Sequence, residues 1–265
     1  MDMPDIPTAG FVAAAESTKH NRPLLVLLGL MAGSLAILLL LPPILQNQSY
    51  HDFADARTLL GVPNFWNVVS NLPFVVVGAV GLARCRHDVT NTIIFAGIFL
   101  TGFGSSYYHW APDDGTLFWD RLPMALAFMA LLAGAIGERV SAKAGAILLW
   151  PLFAMGVLSL LVWRWSGDLR LYGWVQFFTV VTLPAMFLLL PAKYTGTGYW
   201  IVAAILYLLA KLFEYFDGQI YSIGYVVSGH TLKHLAAAAS CFMILRYFQS
   251  RRPIAGAHAE PIRQH

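Results

Sequence analysis

The stretch Ser105-Ser106-Tyr107-Tyr108-His109-Trp110-Ala111-Pro112-Asp113-Asp114-Gly115-Thr116-Leu117-Phe118-Trp119-Asp120 joins two strongly apolar segments and decides how the chain is read. Pro112 and Gly115 mark a turn, and the windows on either side, 91–109 and 117–137, are long enough to cross a bilayer as helices. A serine, a histidine and an aspartate therefore fall at the water-facing ends of two helices that otherwise avoid polar residues. Ser105 stands four residues before His109, which places it one turn deeper on the same helix face.

The rest of the chain repeats this pattern of apolar windows and short polar joints. Of 265 residues, 58% are hydrophobic and 12% charged, too few polar groups to cover a soluble globule of this size. Further spanning windows lie at 24–45, 64–84, 144–163, 171–190, 198–216 and 228–247, so the expectation is an all-α, polytopic membrane bundle of eight helices. Lys19 and Arg22 precede the first run like a secretory signal, but no convincing small-residue cleavage site follows, and an uncleaved helix is expected. Cys85 and Cys241 form no CxxC pattern and read as free thiols. The net charge of +3 is small and its basic residues sit singly at helix ends, which gives nucleic-acid binding no support.

Basic residues also give an orientation, because Lys and Arg are retained on the cytoplasmic side of a bacterial or endoplasmic membrane. With the N-terminus inside, Lys19, Arg22, Arg84, Arg86, Arg139, Lys143, Lys193, Arg246, Arg251, Arg252 and Arg263 flank the inner helix ends. Only Arg57, Arg164 and Arg170 flank the outer ends. Both termini are thus expected in the cytoplasm. The same topology sends His109, Asp120 and His230 to the opposite, non-cytoplasmic face, although none of them entered the charge comparison.

His230 and His234 are four residues apart, which puts both imidazoles on one helix face about a turn from each other. This spacing lets two helical histidines share one metal ion, and His109 can supply a third nitrogen. Three neutral imidazoles around zinc leave a position open for water, the arrangement of a catalytic rather than a structural site. The pair on one face cannot reach opposite sides of a haem iron. A lone HxxxH in an apolar helix is more often incidental or an interhelical hydrogen bond. Here, of eight histidines, these are the three expected in helices, the others, His20, His51, His87, His258 and His265, being expected in tails or loops.

Each neighbour has a structural and a functional reading. Ser105 can bond its own helix backbone. Asp120 can pair with Arg121, or act as a general base and acid, or orient a histidine. Asp113 and Asp114 read as solvated turn residues. Lys211 and Glu214, three apart, read as an intrahelical ion pair in a polar cluster that also holds Asp217 and Lys233. Asn67 and Asn71 face other helices as packing contacts or as support for the site.

With these residues in view, the chain resembles the alkaline ceramidases, a branch of a wider superfamily of seven-helix membrane hydrolases. Ser105 and His109, Asp120, the late pair His230 and His234, and the run Asn64-Phe65-Trp66-Asn67-Val68-Val69-Ser70-Asn71-Leu72 carry the resemblance, over about residues 50–247. It implies a zinc ion held by His109, His230 and His234, with Ser105 and Asp120 as catalytic residues, and cleavage of the ceramide amide to fatty acid and sphingoid base. Two features depart from the family pattern. A helix at the N-terminus is additional, and the acidic calcium-binding segment of eukaryotic members is reduced here to Tyr50-His51-Asp52-Phe53-Ala54-Asp55, with Asn64 where a glutamate is usual. Two carboxylates and an amide make calcium doubtful. Asp52 and Asp55 then either bind a sphingoid amine or, the reading slightly favoured, are merely solvated; Asn64 and Trp66 complete the candidate substrate contacts.

The expected organisation is a cytoplasmic tail over 1–23, an additional transmembrane helix over 24–46, an outer loop over 47–63, a seven-helix catalytic core over 64–248 and a cytoplasmic tail over 249–265. The expected partners are the bilayer and a lipid of the ceramide class, and the expected location is a bacterial inner membrane with the site toward the periplasm. Hydrolysis of another lipid, or a lipid-sensing receptor with structural zinc, are the competing readings. A receptor is expected to carry lengthy soluble segments, which this chain does not show. A transporter is expected to show repeated halves with ionisable residues at the midplane.

Overall fold

A computed structural model describes residues 9–86 and 88–255. Expectations for residues 1–8, His87, and the end of the tail with His258 and His265 lie outside the described residues. The chain divides into two units, the first ending at Leu41 and the second beginning at Pro42. The first unit holds α1 (Ala9–Leu40), of which Arg22–Leu40 is long and apolar enough to span a membrane. This helix starts before residue 24 and stops short of 46. Pro42 and Pro43 account for its end, since each proline disfavours helical backbone in the residue before it.

The second unit is helical throughout among the described residues: α2 (Phe65–Val69), α3 (Leu72–Arg84), α4 (Val89–Trp110), α5 (Asp114–Arg139), α6 (Ala142–Ser166), α7 (Arg170–Leu189), α8 (Thr197–Tyr215), α9 (Asp217–Tyr221) and α10 (Gly229–Ser250). Seven helices, counting α1 and taking α2 with α3 as one, meet the length and hydropathy of membrane spans. The eighth expected span, α10, has 22 residues and so the required length, but is less apolar because it carries His230, Lys233, His234 and Arg246. Its histidines are buried and face protein rather than lipid, whereas Arg246 near its far end is exposed. Large apolar side chains point outward instead, with Val76, Phe103, Val181 and Leu208 all more than half exposed. That surface suits hydrocarbon, and the chain is an integral membrane protein.

The expected single helix over 64–84 is broken. Pro73 cannot donate a backbone hydrogen bond and its ring would clash with the Val69 carbonyl, so the helix stops at Val69 and restarts at Leu72. The Asn67 carbonyl freed by the break accepts from Asn71 Nδ2 at 2.8 Å and from Ser70 Oγ at 3.2 Å. The break thereby aims Ser70 and Asn67 into the bundle.

Within the second unit, side-chain bonds identify the two ends of the bundle. At one end the segment after Pro42 lies against the α6–α7 joint, where Leu169 N donates to Ile44 O at 2.8 Å, and Gln48 and His51 reach Asp114 at the start of α5. At the other end Arg139 bonds Leu190 and Thr197, and Arg251 pairs with Glu138. The first of these ends holds the polar turn between α4 and α5.

Candidate metal centre

His109 sits in the last turn of α4 and is 1% exposed. Its helix is pressed against α5 at Gly104, where an added Cβ would stand 2.2 Å from the Trp119 carbonyl and 3.3 Å from Asp120 Cα. Only a residue without a side chain fits there, and the close approach brings Ser105 to Asp120, whose carboxylate takes the serine hydroxyl as its hydrogen-bond partner. The turn between the helices is fixed by a capping box: Asp113 accepts from Thr116 N at 2.7 Å while Thr116 Oγ1 accepts from Asp113 N at 3.1 Å. The Thr116 amide holds the Asp113 carboxyl below its ordinary value.

The other two histidines enter from α10. Ser228 caps this helix by accepting from Thr231 N at 3.1 Å, and Asp217 Oδ1 accepts from His230 N at 2.7 Å. The bond to Asp217 needs α10 to begin hard against α8 and α9. Gly229 permits that, since a Cβ there would lie 2.2 Å from the Phe213 carbonyl. His230 is 5% and His234 4% exposed.

One potential ligand atom from each of His109, His230 and His234 lies within 4.8 Å of the others, the single such group among the described residues. His109 Nε2 and His234 Nε2 are 3.2 Å apart. Two nitrogens bound tetrahedrally to one zinc at about 2.05 Å would be separated by roughly 3.3 Å, so the spacing fits a shared ion. The hydrogen-bond network assigns the tautomer of His234. Ser70 has one hydroxyl proton and gives it to Asn67 O, so at 2.8 Å it accepts from His234 Nδ1–H, leaving Nε2 with a free lone pair. His109 Nδ1 is buried without a partner. Three buried imidazoles with converging lone pairs form a donor set suited to a borderline-soft divalent metal.

The loop before α2 closes over this group. Phe53 sets its ring edge-on to His109 at 4.6 Å and to His230 at 4.8 Å, and Ala54 N donates to Asp217 Oδ2 at 3.0 Å. Asn64, in the left-handed conformation at φ 47°, donates to the His109 carbonyl at 2.9 Å. Thr231 donates to Asn67 Oδ1 at 3.0 Å, and Asn67 donates to Asp55 O at 3.3 Å. Thus both asparagines tie the loop to the helices that carry the three histidines.

A charged network adjoins the histidines. Glu214 accepts from Lys211 in the expected intrahelical pair, from Lys233 Nζ at 2.6 Å and from Tyr50 Oη at 3.0 Å. Burial, reinforced by the charge of Glu214, pushes the Tyr50 phenol up and keeps it a donor. Lys233 Nζ also lies 3.4 Å from His230 Nε2 and acts electrostatically on Asp120, so it joins the histidine group to the serine–aspartate pair.

The structure therefore brings His109, His230 and His234 together, and Ser105 to Asp120. Asp120 is not one of the convergent ligands, and no ion pair joins it to Arg121 among the described residues. The solvated reading of Asp55 fails: it is 1% exposed and holds Arg57 in a two-pronged ion pair with contacts of 2.6 and 2.8 Å. Asp52 is exposed and Trp66 partly so. Asp114 does more than face solvent, since it anchors His51 at 3.1 Å and Gln48 at 3.1 Å. The sequence reading missed Ser70 as partner of His234, Phe53 as cover and Lys233 as link. Lys233 was findable, because a residue three after His230 and one before His234 shares their end of the helix.

Spanning helices that close at one end on three converging imidazoles define an integral membrane protein with a buried site of metal-binding type. The family model described as Ceramidase matches residues 60–259, three quarters of the chain, and the chain belongs to the ceramidase family. The matched region takes in all three histidines, Ser105 and Asp120, and leaves α1 outside. Membership implies an amidohydrolase. Comparison with the curated proteins gives no match.

Proposed function

We propose that the protein is a zinc-dependent intramembrane hydrolase that cleaves the amide of ceramide, or of a related N-acyl sphingolipid, to a fatty acid and a sphingoid base. The convergence of His109, His230 and His234 within 4.8 Å, in a chain of the ceramidase family, carries this reading. Zinc held by three imidazoles makes water a nucleophile near neutral pH and polarises a carbonyl.

The chain supplies the rest. Asp120, buried and bonded to Ser105 one helical turn from His109, accepts the proton of the attacking water and returns it to the leaving amine as the carbon–nitrogen bond breaks. Ser105 gives its single hydroxyl proton to Asp120 at rest and turns it to the developing oxyanion once Asp120 has taken the proton of water. Lys233 adds positive charge where negative charge develops. Asp52 and Trp66, both open, contact the lipid head, whereas Asp55 and Asn64 act by holding the loop. The excess of Lys and Arg at the far end of the bundle supports cytoplasmic termini and a site toward the periplasmic face of a bacterial inner membrane.

The test is the release of fatty acid and sphingoid base by purified, detergent-solubilised protein, measured by mass spectrometry with palmitoyl ceramide and phosphatidylcholine side by side. Equimolar products from ceramide, lost in His230→Ala, support the assignment. Fatty acid from the ester lipid alone, or release that survives in the variant, sinks it.

A further inference from the structure

Arg121 follows Asp120 in α5 and is 6% exposed. Its guanidinium carbon stands over three aromatic rings, 4.6 Å from Trp163, 5.0 Å from Tyr172 and 5.3 Å from Tyr50. Aromatic faces attract the charge, but they leave the in-plane N–H groups without acceptors. Nη1 is buried with no hydrogen-bond partner, and no carboxylate lies at ion-pair distance from Arg121 among the described residues.

The acidic groups nearby are committed elsewhere. Glu214 is shared by Lys211, Lys233 and Tyr50, Asp120 takes the Ser105 hydroxyl, and Asp114 holds His51 and Gln48. None of these three carboxylates forms an ion pair with Arg121 among the described residues. An unpaired cation inside a membrane protein is costly to keep and marks a functional position.

The cage is also next to the site. Tyr50 is shared between Arg121 and Lys233, whose Nζ is 5.9 Å from the same ring and 3.4 Å from His230. On another side Trp163 lines a cavity of about 200 Å³ that reaches Gln46, Gln48 and Asp114 at this end of the bundle.

Taking the site as a lipid amidase, we infer that Arg121 receives an oxyanionic group on the head of the substrate. Of the N-acyl lipids the site would take, this favours those bearing a carboxylate or a phosphate on the head side of the amide, with neutral ceramide the weaker ligand. A guanidinium presents parallel N–H donors that match two oxygens of either group, and the three rings hold that fork in place before the lipid arrives. A neutral ceramide would leave the fork unfilled. Arg121 is therefore a specificity-determining residue, distinct in role from Asp120 beside it.

The test is equilibrium binding in detergent micelles of three lipids, N-palmitoylglutamate, ceramide phosphate and plain ceramide, to His234→Ala protein, which binds without turnover. At least one anionic lipid is expected to bind on the order of tenfold or more tightly than ceramide, as desolvated charge-assisted pairs do. Arg121→Gln should erase that difference, and Arg121→Lys, which keeps the charge without the fork, should retain part of it. The tighter of the two anions identifies the group. In the active enzyme the same substitution should act on the KM of the anionic lipid more than on its kcat. Equal affinity for all three lipids, or an equal loss for all three in Arg121→Gln, would overturn the inference and leave the residue a packing element. Binding that follows Arg121 without hydrolysis of any amide would instead contradict the amidase reading alone.

Discussion

Asp120 takes its hydrogen-bond partner from a facing helix rather than from its nearest neighbour in sequence. Arg121 is adjacent in sequence and acts on Asp120 only through its charge, without an ion pair; the hydrogen-bond partner of Asp120 is Ser105 on the facing helix, with Lys233 acting from α10. If Asp120 moves the protons of hydrolysis, Asp120→Asn should lower kcat by about 10²–10⁴ with little change in KM and with the metal content intact. A rise in KM at unchanged kcat would make it a binding residue. The histidines were legible because HxxxH is a helical signature and topology sends His109 to the same face. Ser70 was not, since its bond to His234 exists only because Pro73 interrupts the helix and turns the serine inward. Arg121 shows the same limit, for three rings from α6, α7 and the loop before α2 make its cage, and nothing in local spacing brings them together.

Helix contacts at two glycines set the position of the site. Replacing Gly104 by leucine forces α4 from α5 at the Trp119 carbonyl, and overpacking of this kind costs about 1–3 kcal/mol. The melting temperature should fall by several degrees, and activity should fall further than stability explains, because Ser105 and Asp120 move apart. Retention of full activity would show that this contact is not needed for the pair. The loop before α2 adds a dependence on pH. Burial works against the charge on Asp55, but the hydrogen bonds from Arg57 prevail and hold its carboxyl below the ordinary aspartate value. Its contribution to stability is therefore complete above about pH 4, the unfolded value, and is lost as pH falls through the lower folded value. Thermal unfolding followed from pH 6 down to pH 3 should show this loss in the parent protein and a flatter profile in Asp55→Asn. Identical profiles would mean that the pair contributes nothing.

For the molecule as a whole, hydropathy was enough to give an all-helical membrane protein with an N-terminal span ahead of the family region, because a bilayer demands long apolar helices. It was least informative at α10, the helix that carries two of the three histidines, since a site buried inside the bundle needs polar residues that hydropathy counts against a span. The closing loop over the histidines was not legible either, as its bonds to Asp114, Asp217 and Glu214 are all distant in sequence. A metal that binds only the folded state also stabilises the whole bundle, by about 2.7 kcal/mol when present at a hundred times its dissociation constant. Stripping it with a chelator should lower the melting temperature, zinc should restore it, and the His109→Ala variant should respond to neither treatment. The most direct test joins metal to chemistry in one titration: chelated protein is supplied with zinc in steps while release of fatty acid from an N-acyl sphingolipid is followed. Release that is absent at the start and reaches its plateau at one zinc per chain is the expected result; full release by the chelated protein before any zinc is added would contradict a metal-dependent amidase.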